Sequence, residues 1–154
     1  MIDDVDLEIL RIVQTNARIS NKELALQVGV SPSTMVNRLR ALEESGAIRG
    51  YHAEVDPAAL GRHVQVLVSL SLRPKTPAAV AEFERAVWAL DETVAMWLVT
   101  GDSDVVLQMS SPSVSDLAKT VLRQVACAPN VVTEQTSIVF EHRRKSVQTP
   151  LAAS

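Results

Sequence analysis

Cationic and small hydrogen-bonding side chains concentrate between residues 31 and 49 of this sequence. Arginine and asparagine can pair with the edges of guanine and adenine, and small hydroxyl side chains let a backbone approach phosphates. This chemistry predicts a surface for double-stranded DNA. Asn37 with Arg38 or Arg40 is expected to contact bases. The residues expected to hold phosphates are Ser31, Ser33, Thr34 and Arg49. The predicted DNA-binding residues are Ser31, Ser33, Thr34, Asn37, Arg38, Arg40 and Arg49.

Two helices joined by a tight turn are predicted to position these side chains. Ser20 and Glu23 form a capping box, which places the start of the first helix at Asn21. Gly29 suits the left-handed residue that ends it. Ser31 then caps a second helix that has proline at its first position.

The second helix is amphipathic. Its apolar arc comprises Met35, Val36, Leu39 and Leu42, with Glu43, and its polar arc comprises Ser33, Thr34, Asn37, Arg40 and Ala41, with Arg38 at the edge. Such a polar, cationic face fits the major groove, although any helical hairpin exposes polar residues outward. Residues 47–48 and 51–53 flank Arg49-Gly50, which predicts a two-strand ribbon. Together these elements predict a winged helix-turn-helix.

Composition limits the alternatives. The chain has 154 residues and a net charge of −3, so it is no general polycation. Cys127 is its only cysteine, which excludes an internal disulfide; we interpret it as a core or packing residue and expect no metal site and no cofactor. An acidic start and the lack of a long apolar run predict a cytoplasmic protein without membrane contact. With so few cations, useful DNA affinity requires more than one copy.

The second half of the chain predicts a different domain. Every second residue from Val64 to Leu72 is apolar and the residues between them are mostly polar, and the pattern continues as helix, strand, strand, helix, strand. That order predicts a ferredoxin-like βαββαβ domain, so the fold class is α+β. We expect the winged helix-turn-helix at residues 1–55, a linker at 56–63, the ferredoxin-like domain at 64–147 and a disordered tail at 148–154.

One face of this predicted sheet carries too much apolar surface for water. Both helices have a single apolar stripe and must cover the same face. The other face should include Leu67, Trp97, Val99 and Val106. A contiguous apolar patch of this kind predicts burial against a second copy, and therefore a homodimer.

The stretch SNKELALQVGVSPSTMVNRLRALEESGAIRGY, residues 20–51, resembles the DNA-binding domain of the Lrp/AsnC (feast/famine) transcription regulators. The matching residues are Glu23, Leu24, Ala25, Gly29, Ser31, Arg38, Leu39, Leu42, Glu43, Gly46, Ile48, Gly50 and Tyr51. The resemblance implies a regulator that responds to an amino acid or related small metabolite. It also implies dimers formed through the second domain, which often assemble into octamers.

The same resemblance implies an effector site at a Gly-Asp-x-Asp turn between the second and third strands. Its predicted residues are Val99, Thr100, Gly101, Asp102, Asp104 and Thr136. A carboxylate can hold an effector ammonium, and turn N–H groups can hold its carboxylate. The motif is also a good hairpin turn in its own right. Many family members carry an aromatic residue where this chain has Ser103 and Val105, which implies a different pocket size or selectivity.

Two other functions compete with a ligand-responsive regulator. A DNA-binding protein that shapes DNA without any ligand would carry the same first domain. An enzyme would need a nucleophile with its base, a metal cluster or a phosphate loop, and the sequence offers none. The three histidines, His52, His63 and His142, are scattered along the chain, so we expect no catalytic residues.

Overall fold

The computed structural model describes residues 2–151. The chain forms two compact units. The first ends at Glu54 and also includes the segment that starts at Arg143, and the second is Val55–His142. The sequence pattern instead assigned residues up to 147 to the second domain.

Within the described residues, the first unit contains three helices: α1 (Asp4–Thr15), α2 (Asn21–Val28) and α3 (Pro32–Glu44). Asp3, Ser20 and Ser31 each cap one helix by accepting a backbone N–H from its first turn. Gly29 ends α2 at a φ of 78°, a left-handed conformation that glycine adopts without steric cost. The starts of α2 and α3 lie where the capping residues predicted them.

The three helices enclose one apolar core. Its buried residues are Ile9, Ile12, Leu24, Ala25, Met35, Leu39, Leu42 and Ile48. Ile9 and Ile12 are the buried apolar residues of α1, whereas Leu7, Leu10 and Val13 of the same helix are only half-buried. Val36 belongs to the predicted apolar arc of α3 but is 38% exposed.

The predicted two-strand ribbon does not form. Residues 49–56 have no regular secondary structure. The Ile48 N–H donates to the Leu42 carbonyl at 3.0 Å, and the Tyr51 hydroxyl donates to Glu43 at 3.0 Å. Both contacts direct the segment to α3 rather than to a neighbouring strand. Two- and three-residue strands offer each other too few hydrogen bonds to compete, since isolated ribbons are marginal in water.

The second unit begins with a 3-10 turn, Pro57–Leu60, inside the predicted linker. Its other elements are β1 (Val64–Leu72), α4 (Pro77–Trp88), β2 (Thr93–Leu98), β3 (Val105–Ser111), α5 (Val114–Thr120) and β4 (Val131–Ile138), with a π-helical turn, Val121–Val125, directly after α5. The strands form one antiparallel sheet in the order β2-β3-β1-β4. This is the strand order of a ferredoxin-like fold, as the element sequence predicted.

The helices cover one face of the sheet. Core residues on that face alternate along β1 and β3, with Val68 opposite Leu107 in the register. On the other face Leu67 and Trp97 remain 37% and 46% exposed. The structure therefore leaves the predicted apolar face uncovered within one subunit.

Two regions differ from the sequence expectations. Cys127 is exposed, with its thiol donating to the Leu122 carbonyl, so its interpretation as a core residue is wrong. Gln148 is paired with Gln14 of α1: its N–H donates to Gln14 Oε1 at 2.9 Å and its carbonyl accepts from Gln14 Nε2 at 3.1 Å. The tail expected to be disordered thus begins in an ordered contact, and residues 152–154 lie outside the described range. None of the described helices has the length and apolarity to cross a membrane.

Candidate DNA-binding surface and effector turn

The outward face of α3 is open along its length. Ser33, Thr34, Asn37, Arg40 and Ala41 are all exposed. At the start of the helix, Ser31 Oγ lies 3.0 Å from Ser33 Oγ and 2.8 Å from Thr34 Oγ1. These hydroxyls surround the first-turn N–H groups, where the helix dipole favours an anion. The arrangement suits a DNA phosphate at the start of α3.

Asn37 and Arg40 lie farther along the same face. Their spacing of three places them as neighbours on successive turns. Among residues 2–151, neither side chain has a hydrogen-bond partner. Their donors and acceptors are therefore available to base edges.

Arg38 is engaged inside the first unit. Its Nη1 lies 2.8 Å from Asp6 Oδ1 and 2.8 Å from Asp3 Oδ2. The Asp6 and Asp3 carboxylates raise the pKa of the Arg38 guanidinium. The pKa of Asp3 is lowered mainly by the hydrogen bond from the Asp6 N–H and, to a smaller extent, by the Arg38 guanidinium. This geometry argues against a base contact for Arg38 and gives it a structural role that joins α3 to the start of α1.

Arg49 follows the buried Ile48 and is exposed. Since the ribbon is absent, Arg49 lies on an irregular segment anchored at Ile48 and Tyr51. Arg49 belongs to the segment that follows α3, and a phosphate contact there needs no regular wing.

The turn between β2 and β3 closes tightly. The Val99 N–H donates to the Asp104 carbonyl at 2.9 Å, and the Asp104 N–H donates to the Leu70 carbonyl at 2.8 Å. Ser71 Oγ donates to the Asp102 carbonyl at 3.2 Å. Gly101, at a φ of 125°, adopts a conformation that other residues rarely enter. The structure thus brings Val99, Thr100, Gly101, Asp102 and Asp104 together beside the end of β1.

The two aspartates of the turn have different surroundings. Asp104 Oδ1 lies 2.5 Å from Lys75 Nζ, and Asp104 Oδ2 accepts the Leu72 N–H at 2.9 Å. The pKa of Asp104 is lowered mainly by Lys75 and, to a smaller extent, by the hydrogen bond from the Leu72 N–H. Asp102 is exposed, and its carboxylate has no hydrogen-bond partner within residues 2–151. Asp104 therefore holds the turn, and Asp102 is the open carboxylate.

The sequence reading missed Lys75 and also Arg73, whose Nη1 lies 3.9 Å from Asp104 Oδ2. These residues precede the turn by about thirty positions, so no local motif contains them. The strand order does contain the signal. In an antiparallel pair of β1 with β3, residues that follow β1 lie beside residues that precede β3.

Thr136 lies elsewhere in the subunit. It is on β4 opposite Val68, and its hydroxyl bonds to Glu134. β4 and β2 are opposite edges of the sheet, with β1 and β3 between them. One subunit does not bring Thr136 to the turn.

Each of the two units matches a known protein family. Residues 2–49 match the family described as winged helix-turn-helix DNA-binding. Residues 65–148 match the family described as the Lrp/AsnC ligand binding domain, which is more than half of the chain.

The chain belongs to the Lrp/AsnC family.

Curated relatives agree with this assignment along nearly the whole chain. The HTH-type transcriptional regulator AldR of Mycolicibacterium smegmatis is 34% identical over 143 residues, 93% of this chain and 84% of the relative. The leucine-responsive regulatory protein of Escherichia coli K12 is 34% identical over 145 residues, 94% of this chain and 88% of the relative. This Lrp/AsnC chain is accordingly a DNA-binding transcriptional regulator.

Solved structures share the fold. A transcriptional regulator from Neisseria meningitidis in complex with L-Met superposes with a TM-score of 0.88 at 29% identity, covering 97% of each chain. The structure of Escherichia coli AsnC gives a TM-score of 0.83 at 26% identity, covering 95% of this chain and 99% of that chain.

Proposed function

We propose that this Lrp/AsnC regulator reads DNA through the exposed face of α3 and senses an amino acid at the β2–β3 turn. The observation that carries the DNA half is the open pair Asn37 and Arg40 on a helix-turn-helix helix. Ser31, Ser33, Thr34 and Arg49 hold phosphates on either side of that pair. Arg38 contributes by fixing α3 against α1 through Asp3 and Asp6.

The effector half rests on the turn and on ligands of similar proteins. The Neisseria meningitidis regulator and a Mycobacterium tuberculosis feast or famine regulatory protein were both solved with L-methionine. In this chain the turn offers an open carboxylate at Asp102 and, on its other aspartate, the cation Lys75, and such a mixture of charges suits a zwitterion. Val99, Thr100 and Gly101 shape the turn, and Thr136 would join the site only from a neighbouring subunit.

The regulator acts as a homodimer through the uncovered face of the sheet. Leu67, Trp97 and Val99 are exposed there, and burial of apolar surface is the dominant gain in such association. Two α3 helices then read two half-sites, whose spacing follows DNA helical turns. Dimers assemble further into octamers, and the protein works in the cytoplasm, as a regulator rather than an enzyme.

A selection experiment tests this proposal. The purified protein selects bound fragments from random double-stranded DNA, with and without a mixture of the twenty amino acids. We expect a two-fold symmetric motif and an amino-acid-dependent change in its affinity. Enrichment without any motif would contradict sequence-specific reading. The protein could instead select a motif but show neither a change in DNA affinity nor a shift in Tm with any amino acid. That result would favour the ligand-independent architectural alternative.

A further inference from the structure

The charges around the β2–β3 turn are not balanced between its two aspartates. Asp104 already has a partner at both oxygens: Lys75 at 2.5 Å on one, and the Leu72 N–H at 2.9 Å on the other. Its side chain is only 19% exposed. Recruiting Asp104 for an effector ammonium would require breaking a charge-assisted bond that is already made. Asp104 is thus a positioning residue.

The cations that Asp104 holds remain accessible. The Lys75 side chain is 51% exposed and that of Arg73 is 63% exposed. Lysine has three N–H donors and Asp104 takes one of them. Arg73 Nη1 donates to the Leu72 carbonyl at 2.9 Å, which leaves other guanidinium N–H groups for solvent or a ligand. Two cations share the Asp104 carboxylate, so both keep N–H donors for a second anion.

We propose that Lys75, with Arg73 beside it, binds the carboxylate of the effector while Asp102 binds its ammonium. This inference rests on the proposed function, in which an amino acid occupies this turn. Lys75 would be a direct ligand of the effector, fixed in place by Asp104. The site would select free α-amino acids over their amides and over simple amines, because only the free acid carries the anion that Lys75 pairs with.

A purely structural role for Lys75 predicts something different. If the Lys75–Asp104 pair only shaped the turn, removing the ammonium would weaken every ligand of the turn to the same extent. If Lys75 binds the effector carboxylate, removing it would weaken the acid and leave the amide nearly unchanged. The ratio of the two affinities separates the two roles, even when the turn itself loosens.

The experiment is calorimetry with the full chain. A thermal-shift screen of the twenty amino acids, starting with L-methionine, identifies the amino acid that raises Tm most. Calorimetry then uses two ligands, that amino acid and its α-carboxamide. The variants are Lys75→Gln, Lys75→Arg and the control Lys119→Gln. Lys119 is also half-exposed in the second unit and pairs with Asp116 at 2.9 Å, away from the turn.

We expect the wild type and Lys119→Gln to prefer the acid over the amide. Lys75→Gln should reduce that preference roughly tenfold, the size of one charge-assisted bond, and Lys75→Arg should retain most of it. An unchanged acid-to-amide ratio in Lys75→Gln would overturn the inference and leave the proposed function intact. Failure of the wild type to bind any of the twenty amino acids would remove the effector half of the proposed function, and this inference with it.

Discussion

Arg38 of α3 lies 2.8 Å from Asp6 of α1, joining two residues that are 32 positions apart in the chain. Asp6 is 8% exposed, so its carboxylate depends on this partner. The same Arg38 nitrogen reaches Asp3, the residue that caps α1. The helix proposed to read DNA is thereby fixed to the start of the first helix by charge as well as by the apolar core.

Replacing Arg38 should destabilise the first unit. Arg38→Met keeps most of the aliphatic stem but leaves the buried Asp6 carboxylate without a cation, which is costly. Thermal unfolding followed by circular dichroism should show a clearly lower Tm. The matched control is Arg11→Met, whose partner Glu8 lies 2.6 Å away in an exposed pair that contributes little. An unchanged Tm for Arg38→Met, combined with lost base preference in DNA binding, would return Arg38 to the base-reading set.

Acid should weaken the contact between Asp3 and Arg38. The Asp6 N–H and Arg38 lower the pKa of Asp3 in the folded chain. A depressed pKa gives a stabilisation that is complete above the unfolded-state pKa of about 3.9 and is lost as pH falls through the lower folded-state pKa. Asp3→Asn retains a good capping residue and removes this titration. Denaturation of the wild type should therefore become easier below about pH 4, and the slope with pH should be shallower in Asp3→Asn. Identical slopes would show that Asp3 carries none of the acid dependence.

The uncovered sheet face should control the oligomeric state. Trp97 is 46% exposed and its register partner is Val106, on the same face. Trp97→Glu should raise the dimer dissociation constant at least about 30-fold, as expected for loss of a hot-spot residue. Sedimentation velocity over a concentration series measures this change. Leu26→Glu is the control, because Leu26 is 82% exposed in the other unit. A Trp97→Glu protein that remains dimeric at all concentrations would place the interface elsewhere.

The contact between Gln14 and Gln148 should hold the start of the tail. Gln14→Ala removes both hydrogen bonds, and we expect a loss of about 0.5–1.5 kcal/mol in the free energy of unfolding. Limited proteolysis should cut the tail faster in this variant. Gln148→Ala keeps the backbone N–H and carbonyl that Gln14 contacts, so it should behave like the wild type. Equal cleavage rates for Gln14→Ala and the wild type would mean that the contact does not order the tail.

Local chemistry made much of the fold predictable. Ser20 with Glu23, and Ser31 before Pro32, specify helix starts through hydrogen bonds within a few residues, and the structure has both starts. The alternation along β1 specifies which side chains face the helices, and Val66, Val68 and Leu70 are buried as that pattern requires. The strand order followed because few connections of six such elements are compatible with short crossovers.

Long-range contacts were not predictable in this way. Arg38 has the residue type of a base-reading side chain, and only the packing of α1 against α3 shows that Asp3 and Asp6 engage it. The Lys75–Asp104 pair joins residues on either side of a helix and a strand. The ribbon is missing because two weakly stabilised arrangements compete. Arg49-Gly50 would suit a hairpin turn, but Ile48 and Tyr51 hydrogen-bond to α3 instead.

The most direct test of the account measures DNA affinity by fluorescence anisotropy on the selected operator. The proteins are the wild type, Arg40→Ala, Asn37→Ala and the control Arg11→Ala, each over a salt series. We expect Arg40→Ala and Asn37→Ala to lose about 1–3 kcal/mol and to relax preference at one base pair, while Arg11→Ala binds as the wild type does. Wild-type affinity and unchanged base preference in both α3 variants would contradict DNA reading by this face.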